Sequence, residues 1–210
     1  MGAARAIARR GTSWFGVALC LVLAYGCWSL VPNPERMSPL TGLVDESQIK
    51  PSDTKLVQGG KSKRAGLIVS TGTESSLKHV REMQSSWFNM PKTLNPQFLV
   101  DSITLMLKRQ FAELVLIDDF RAFQAQKLDV AIVVDVYVKE AIASVVDLRV
   151  LLFDQGIRLI GEARGTAQRN YLTSPVPPGG SGDVAVQELR KAALASLDDD
   201  LGRLFDRGGR

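Results

Sequence analysis

The stretch Leu128-Asp129-Val130-Ala131-Ile132-Val133-Val134-Asp135-Val136-Tyr137-Val138-Lys139 decides the fold. Every even position is apolar, while Asp129, Asp135 and Lys139 fall on odd ones. A period of two is the mark of a strand with one face buried. Val146, Leu148, Val150 and Leu152 continue the pattern, alternating with Asp147 and Arg149. Gln155-Gly156 then turns the chain into residues 157–167, so the two runs predict an antiparallel hairpin. A two-residue loop sets Leu152 opposite Leu159, Val150 opposite Gly161 and Leu148 opposite Ala163. It also pairs Arg149 with Glu162 and Asp147 with Arg164 on the other face, each pair worth about 0.2–1 kcal/mol. Gln is not the favoured first residue of such a turn, so a bulged three-residue loop, shifting the register by one, stays open.

Working outward, Leu67-Ile68-Val69-Ser70 reads as a short strand ended by Thr71-Gly72-Thr73. Residues 75–88 follow as a helix with Leu77, Val80, and Met83 or Gln84 spaced for one face. Asn95-Pro96 is a helix start, Asn as N-cap and Pro where its missing N–H costs nothing. Leu99, Ile103, Met106, Leu107 and Phe111 then mark an apolar stripe, and Leu114-Val115-Leu116-Ile117 reads as another strand. Residues 173–183 form a Pro- and Gly-rich loop before a last helix, in which Val186, Leu189, Ala193, Leu197, Leu201 and Leu204 recur at three- and four-residue steps. The expected architecture is α+β: an antiparallel sheet of four or five strands, one face covered by the helices at 96–112 and 184–206.

The other face should be polar and is not. Val133, Tyr137, Val145, Leu151, Phe153 and Ile160 all fall on it, with Leu151 opposite Ile160 in the two-residue-loop register. Such a patch is either a partner-docking face or one covered by another part of the chain, for which Trp87-Phe88-Asn89-Met90 is the nominated segment.

The front of the chain has a different character. Arg5, Arg9 and Arg10 precede an apolar run at residues 14–24 and small residues near Gly26, the layout of an export leader. Extended to residues 14–31, the stretch reaches 18 residues, the lower limit of a spanning helix of about 20. Residues 32–64 contain Pro32, Pro34, Pro39, Pro51, Gly59 and Gly60 without periodicity and are expected to be a flexible tether. The expected organisation is thus a signal peptide at 1–26 (or a membrane anchor at 14–31), a tether at 27–64 and one domain at 65–208.

Composition excludes more than it assigns. The 210 residues are 45% hydrophobic and 23% charged, ordinary for a globular chain, and one His with two Cys leaves little material for zinc, iron-sulfur or Ser-His and Cys-His chemistry. The net charge of +4 belongs mostly to the leader; without its three arginines, 23 basic face 22 acidic side chains, too even a balance for nucleic-acid binding. His79, between Glu74 and Glu82, is a formal general-base candidate, but no positioned nucleophile accompanies it. Asp118-Asp119 could ligate a metal and is more simply a strand-end turn. Asp198-Asp199-Asp200 cannot form one cage, because consecutive helical positions point apart. Gly179-Gly180-Ser181-Gly182 could cradle an anion at a helix N-terminus but lacks the preceding strand and following Lys of a P-loop. No catalytic residue, metal or cofactor is expected.

Leu23-Ala24-Tyr25-Gly26-Cys27 resembles the bacterial lipobox, in which the Cys after a small residue is acylated and becomes the new N-terminus. Gly26 fits; the Leu is displaced by one and Tyr25 is bulkier than usual. With the tether, Trp87, the helix from residue 95, the alternating strand, the hairpin at Asp154-Gln155-Gly156 and the terminal Ala/Leu helix, the chain resembles small bacterial envelope lipoproteins. The nearest named group is the auxiliary lipoprotein of ABC-type membrane-lipid transport systems, over about residues 85–206, although the early Tyr-x-Leu strand of that group is missing. The resemblance implies a non-enzymatic outer-membrane lipoprotein facing the periplasm, acylated at Cys27, that docks a protein partner in an envelope complex or shields a lipid chain. The alternatives are an inner-membrane, single-span scaffold that oligomerises and, further off, an envelope hydrolase using Asp118 and Asp119.

Overall fold

The computed structural model describes residues 36–45, 47, 49–50, 60–85, 96–139, 143–170 and 182–206. After a single 3-10 turn at Gly60–Ser62, the element order is β1 (Arg64–Val69), α1 (Thr71–Ser85), α2 (Pro96–Lys108), β2 (Glu113–Leu116), α3 (Phe120–Ala125), β3 (Val130–Lys139), β4 (Ala143–Phe153), β5 (Leu159–Asn170) and α4 (Gly182–Asp206). The fold is α+β, with one five-stranded sheet in the order β2-β1-β3-β4-β5. The alternating strand β3 sits at its centre.

The expectation of an antiparallel sheet holds for β3, β4 and β5 and gives way at β1, which pairs in parallel with both β2 and β3. Helices are the reason. Parallel neighbours need a long crossover, and α1 with α2 supplies the first while α3 supplies the second. From β1 to β2 the chain moves one way across the sheet, and from β2 to β3 it moves back. Crossovers of the same hand must then lie on opposite faces. Accordingly, α2 packs on the first face through Leu99, Ile103 and Leu107, and α3 on the second through Phe120 and Phe123.

The first face is the one the periodicity marks. Ile132, Val134 and Val136 of β3 join Leu148, Val150 and Leu152 of β4 beneath α2 and α4, which contribute Leu99, Ile103, Leu107, Ala193, Leu197 and Leu201. Each such side chain, fully buried, is worth about 1.5–3 kcal/mol. Gly165 of β5 lets α4 lie directly on the sheet: a Cβ there would sit 2.2 Å from the Ala193 carbonyl oxygen.

The β4–β5 register differs from the sequence expectation by two positions. Val150 faces Ala163, Arg149 faces Arg164 and Asp147 faces Thr166, and an irregularity falls beside Leu152 and Phe153. The turn is longer than two residues: the Asp154 N–H donates to the Arg158 carbonyl, and the Ile157 N–H to the Asp154 carbonyl, with Ile157 itself at φ 58. The Asp154 carboxylate fixes this turn by accepting from the Gly156 and Arg158 N–H groups. From Gly161 onward a shift of two keeps each side chain on its face, so the core survives while the predicted charge pairs change. Ile160 packs against the first-face core, Glu162 stands opposite Leu151 where Ile160 was expected, and Leu159, paired with Phe153, joins the second-face cluster.

The second face is covered, and by the part of the chain expected to be a free tether. Leu40 is buried and Leu43, Val44 and Ile49 are half-buried against Ile68, Val133, Leu151 and Phe153, with α3 covering the rest. The physical reason is composition: these four apolar side chains fall within ten residues, enough to gain from burial what a polar linker cannot. Residues 34–210 therefore belong to one compact unit. The nominated cover, Trp87-Phe88-Asn89-Met90, lies outside the described residues, as do the leader, Cys27 and the loop at 173–181.

Candidate functional site

A polar network occupies the part of the second face beyond its apolar patch, where Arg36 at the start of the 36–50 segment lies over it. It begins at Ser70, which follows β1 and caps α1. The Thr73 N–H donates to Ser70 Oγ at 3.1 Å, the N-cap geometry, so the helix begins at Thr71 rather than at the expected residue 75. Ser70 is fully buried and lies 2.5 Å from Asp135 Oδ1 and 2.9 Å from Thr73 Oγ1. Thr73 Oγ1 in turn accepts from the Val136 N–H at 2.7 Å. One hydroxyl proton must serve two acceptors. With Asp135 ionised it goes to the carboxylate; with Asp135 protonated it is released to Thr73.

Asp135 is 3% exposed. Burial pushes its carboxyl above the ordinary value, and the Ser70 hydroxyl and the charges of Arg149 and Arg36 only partly offset that. Asp147, 2% exposed, goes the other way. Burial alone would raise it, but hydrogen bonds from Arg164 and the bond and charge of Arg36 outweigh burial and hold it below the ordinary carboxylate range. Arg164 donates through Nε to Oδ1 at 3.0 Å and through Nη2 to Oδ2 at 2.9 Å, the two-pronged geometry that suits a guanidinium. Arg36 also donates to Oδ2 and stacks on Tyr137, its guanidinium carbon 5.4 Å from the ring centre. Arg149 Nη2 stands 3.8 Å from the same oxygen, directly across from both Asp135 and Arg164.

Chemically this is architecture. Ser70 is closed to solvent and its oxygen is committed to a helix cap, and Asp147 is enclosed by three guanidinium groups. The network ties α1, three strands and the start of the 36–50 segment together. Two sequence signals pointed to it: the Ser70-x-x-Thr73 capping spacing, and one Asp, at 135, inside an otherwise apolar run. Arg36 had no signal at all, since its partner lies 111 residues away.

The predicted docking residues separate. Val133, Leu151 and Phe153 are buried, with Phe153 edge-on to Phe120 at 5.2 Å between ring centres. Tyr137 and Val145 are half-buried, and Ile160 is on the first face. The contiguous apolar docking face drawn from the sequence is thus covered by the chain's own residues 36–50 and α3. Asp119 is the N-cap of α3, accepting from the Ala122 N–H at 2.8 Å, which explains that half of Asp118-Asp119 without a metal. Asp200 accepts from the Arg164 N–H and pairs with Arg203, while Asp198 and Asp199 are exposed. His79 lies on α1, its side chain outside the description. Among the described residues no three His, Cys, Asp or Glu side chains group as metal ligands. Nor is any described helix long and apolar enough to cross a membrane.

A second feature is a cleft of about 510 Å³ between α1, α2 and the β1–β2 edge, floored by Leu67, Val69, Leu77, Val100, Leu114 and Leu116. Glu74, Asp101 and Lys108 stand at its rim, and Leu116 is 70% exposed.

No protein-family model matches the chain, and no curated protein sequence does. Among solved structures it is similar to the PelC dodecamer from Paraburkholderia phytofirmans and to a point variant of that dodecamer, each at 12% identity and a TM-score of 0.36. The similarity covers 65% of this chain and 88–89% of theirs.

Proposed function

We propose that this chain is a non-catalytic lipoprotein of the bacterial envelope, acylated at Cys27 and facing the periplasm, that serves as an accessory component of a transport or assembly system. The observation that carries the reading is the order of the front end: a basic, acid-free start, an apolar run, then Leu23-Ala24-Tyr25-Gly26-Cys27. Two or more acyl chains anchor stably where one does not, each buried methylene contributing about 0.8 kcal/mol. The domain supports a role by contact. Its buried Ser and Asp side chains are engaged in holding elements together, and Phe98, Leu105, Leu116 and Val184 are large apolar side chains left exposed for a protein or lipid partner.

The test is the intact mass and fractionation of the protein from its membranes, alone and as Cys27→Ser. A mature chain beginning at Cys27 with acyl mass, and loss of processing in the variant, is the expected result. A membrane-bound chain retaining all its leader residues would favour the single-span scaffold, and a soluble chain with the leader intact would defeat both.

A further inference from the structure

We propose that residues 36–50 are a releasable strap that opens as a unit while the sheet stays folded.

The strap is tied in three places. Arg36 reaches Asp147 and the Tyr137 ring; Thr71 Oγ1 donates to the Thr41 carbonyl at 2.8 Å; and the Leu159 N–H donates to the Lys50 carbonyl at 3.2 Å. Between the ties it forms its own turns, the Thr41 N–H donating to the Ser38 carbonyl and the Leu43 and Val44 N–H groups to the Leu40 carbonyl. These bonds are local and do not extend the sheet ladder. Leu40 is its chief buried anchor, whereas Ile68, Val133 and Phe153 beneath it are wholly inaccessible and are held by α3 as well. Few buried contacts and many solvent-facing bonds characterise segments that open below the global unfolding free energy. Losing Arg36 leaves no orphaned charge, because Arg164 still holds both Asp147 oxygens.

The experiment uses the full chain purified from membranes and returned to vesicles of phosphatidylethanolamine and phosphatidylglycerol. Hydrogen exchange should show the amides of Thr41, Leu43, Val44 and Leu159 exchanging about 100-fold faster than those of β3 and β4. Arg36→Gln should speed the strap amides about tenfold further, and Thr71→Ala about threefold, with β3 and β4 unchanged. Equal rates in strap and sheet, or variants that speed both together, would overturn the strap.

Discussion

Replacing Gly165 with Ala tests how α4 is seated. The added Cβ would lie 2.2 Å from the Ala193 carbonyl oxygen, 2.6 Å from Leu197 Cβ and 2.8 Å from Leu197 N. All three atoms belong to the backbone of α4 or to its first side-chain carbon, so none can swing aside as a side-chain tip can. The helix must back away by about 1 Å, loosening Ala193, Leu197 and Leu201 against the sheet together, and interiors at crystal-like density have no slack to absorb that. Overpacking costs about 1–3 kcal/mol, and unyielding backbone puts this site at the top, about 3 kcal/mol. For a domain of this size that lowers the Tm by about 6–12 °C. Gly202→Ala is the matched control on the same helix, with nothing within 4 Å of its Cβ. It removes a helix-interior glycine and should stabilise by about 0.5–1 kcal/mol. Urea unfolding and thermal melts of the two variants decide the matter. Gly165→Ala within about 0.5 kcal/mol of wild type, or Gly202→Ala as damaging as Gly165→Ala, would refute the direct seating of α4 on β5.

Three further outcomes follow from the polar network and its surroundings. Asp135 has a folded pKa above its ordinary 3.8, so its contribution to stability is full below that value and is lost as pH rises through the folded pKa. The Tm of Asp135→Asn relative to wild type should therefore climb from acidic to neutral pH, and a pH-independent difference would count against the upward shift. Asp147 behaves oppositely: its contribution is present above 3.8 and fades as pH falls through its depressed pKa. Asp147→Ala leaves Arg149 facing Arg164 without the carboxylate that both approach. It should cost about 2–3 kcal/mol by urea unfolding, less than the about 3–5 of fully buried pairs because Arg36 and Arg164 reach water. Asp118→Asn should leave stability unchanged, whereas Asp119→Ala should lose about 1 kcal/mol through the α3 cap; abolition of a hydrolytic activity by Asp118→Asn would revive the hydrolase reading.

Much of the fold was legible in the order of residues. Alternation at 128–139 and 146–152 marked β3 and β4 and their first face, because side chains in a strand alternate whatever the neighbours are. The stripes at 99–107 and 186–204 named the helices that cover that face, and Pro96 began α2 where its chemistry allows. The class, α+β, followed from these local periods. At the site, Ser70 and Thr73 carried a capping signal, yet their glycine-bearing surroundings read as a loop, and the helix start was placed four residues late.

What the order of residues could not decide was everything set between distant segments. Parallel pairing of β1 depends on which faces its crossovers occupy, and no local period encodes that. Beyond the irregularity at Leu159 and Ile160, a register offset of two leaves each side chain on its own face, so hydrophobic patterning is blind to it; the Asp154 turn chooses it. The role of Arg36 depends on Asp147 lying beneath it, 111 residues on. The apolar second face was visible as Val133, Leu151 and Phe153, but whether it met solvent, a partner or the chain itself was a question of what Leu40, Leu43, Val44 and Ile49 gain by folding back. Local steric and burial preferences are written residue by residue, whereas the contacts that close the second face and unite the charges exist only once the chain has come together.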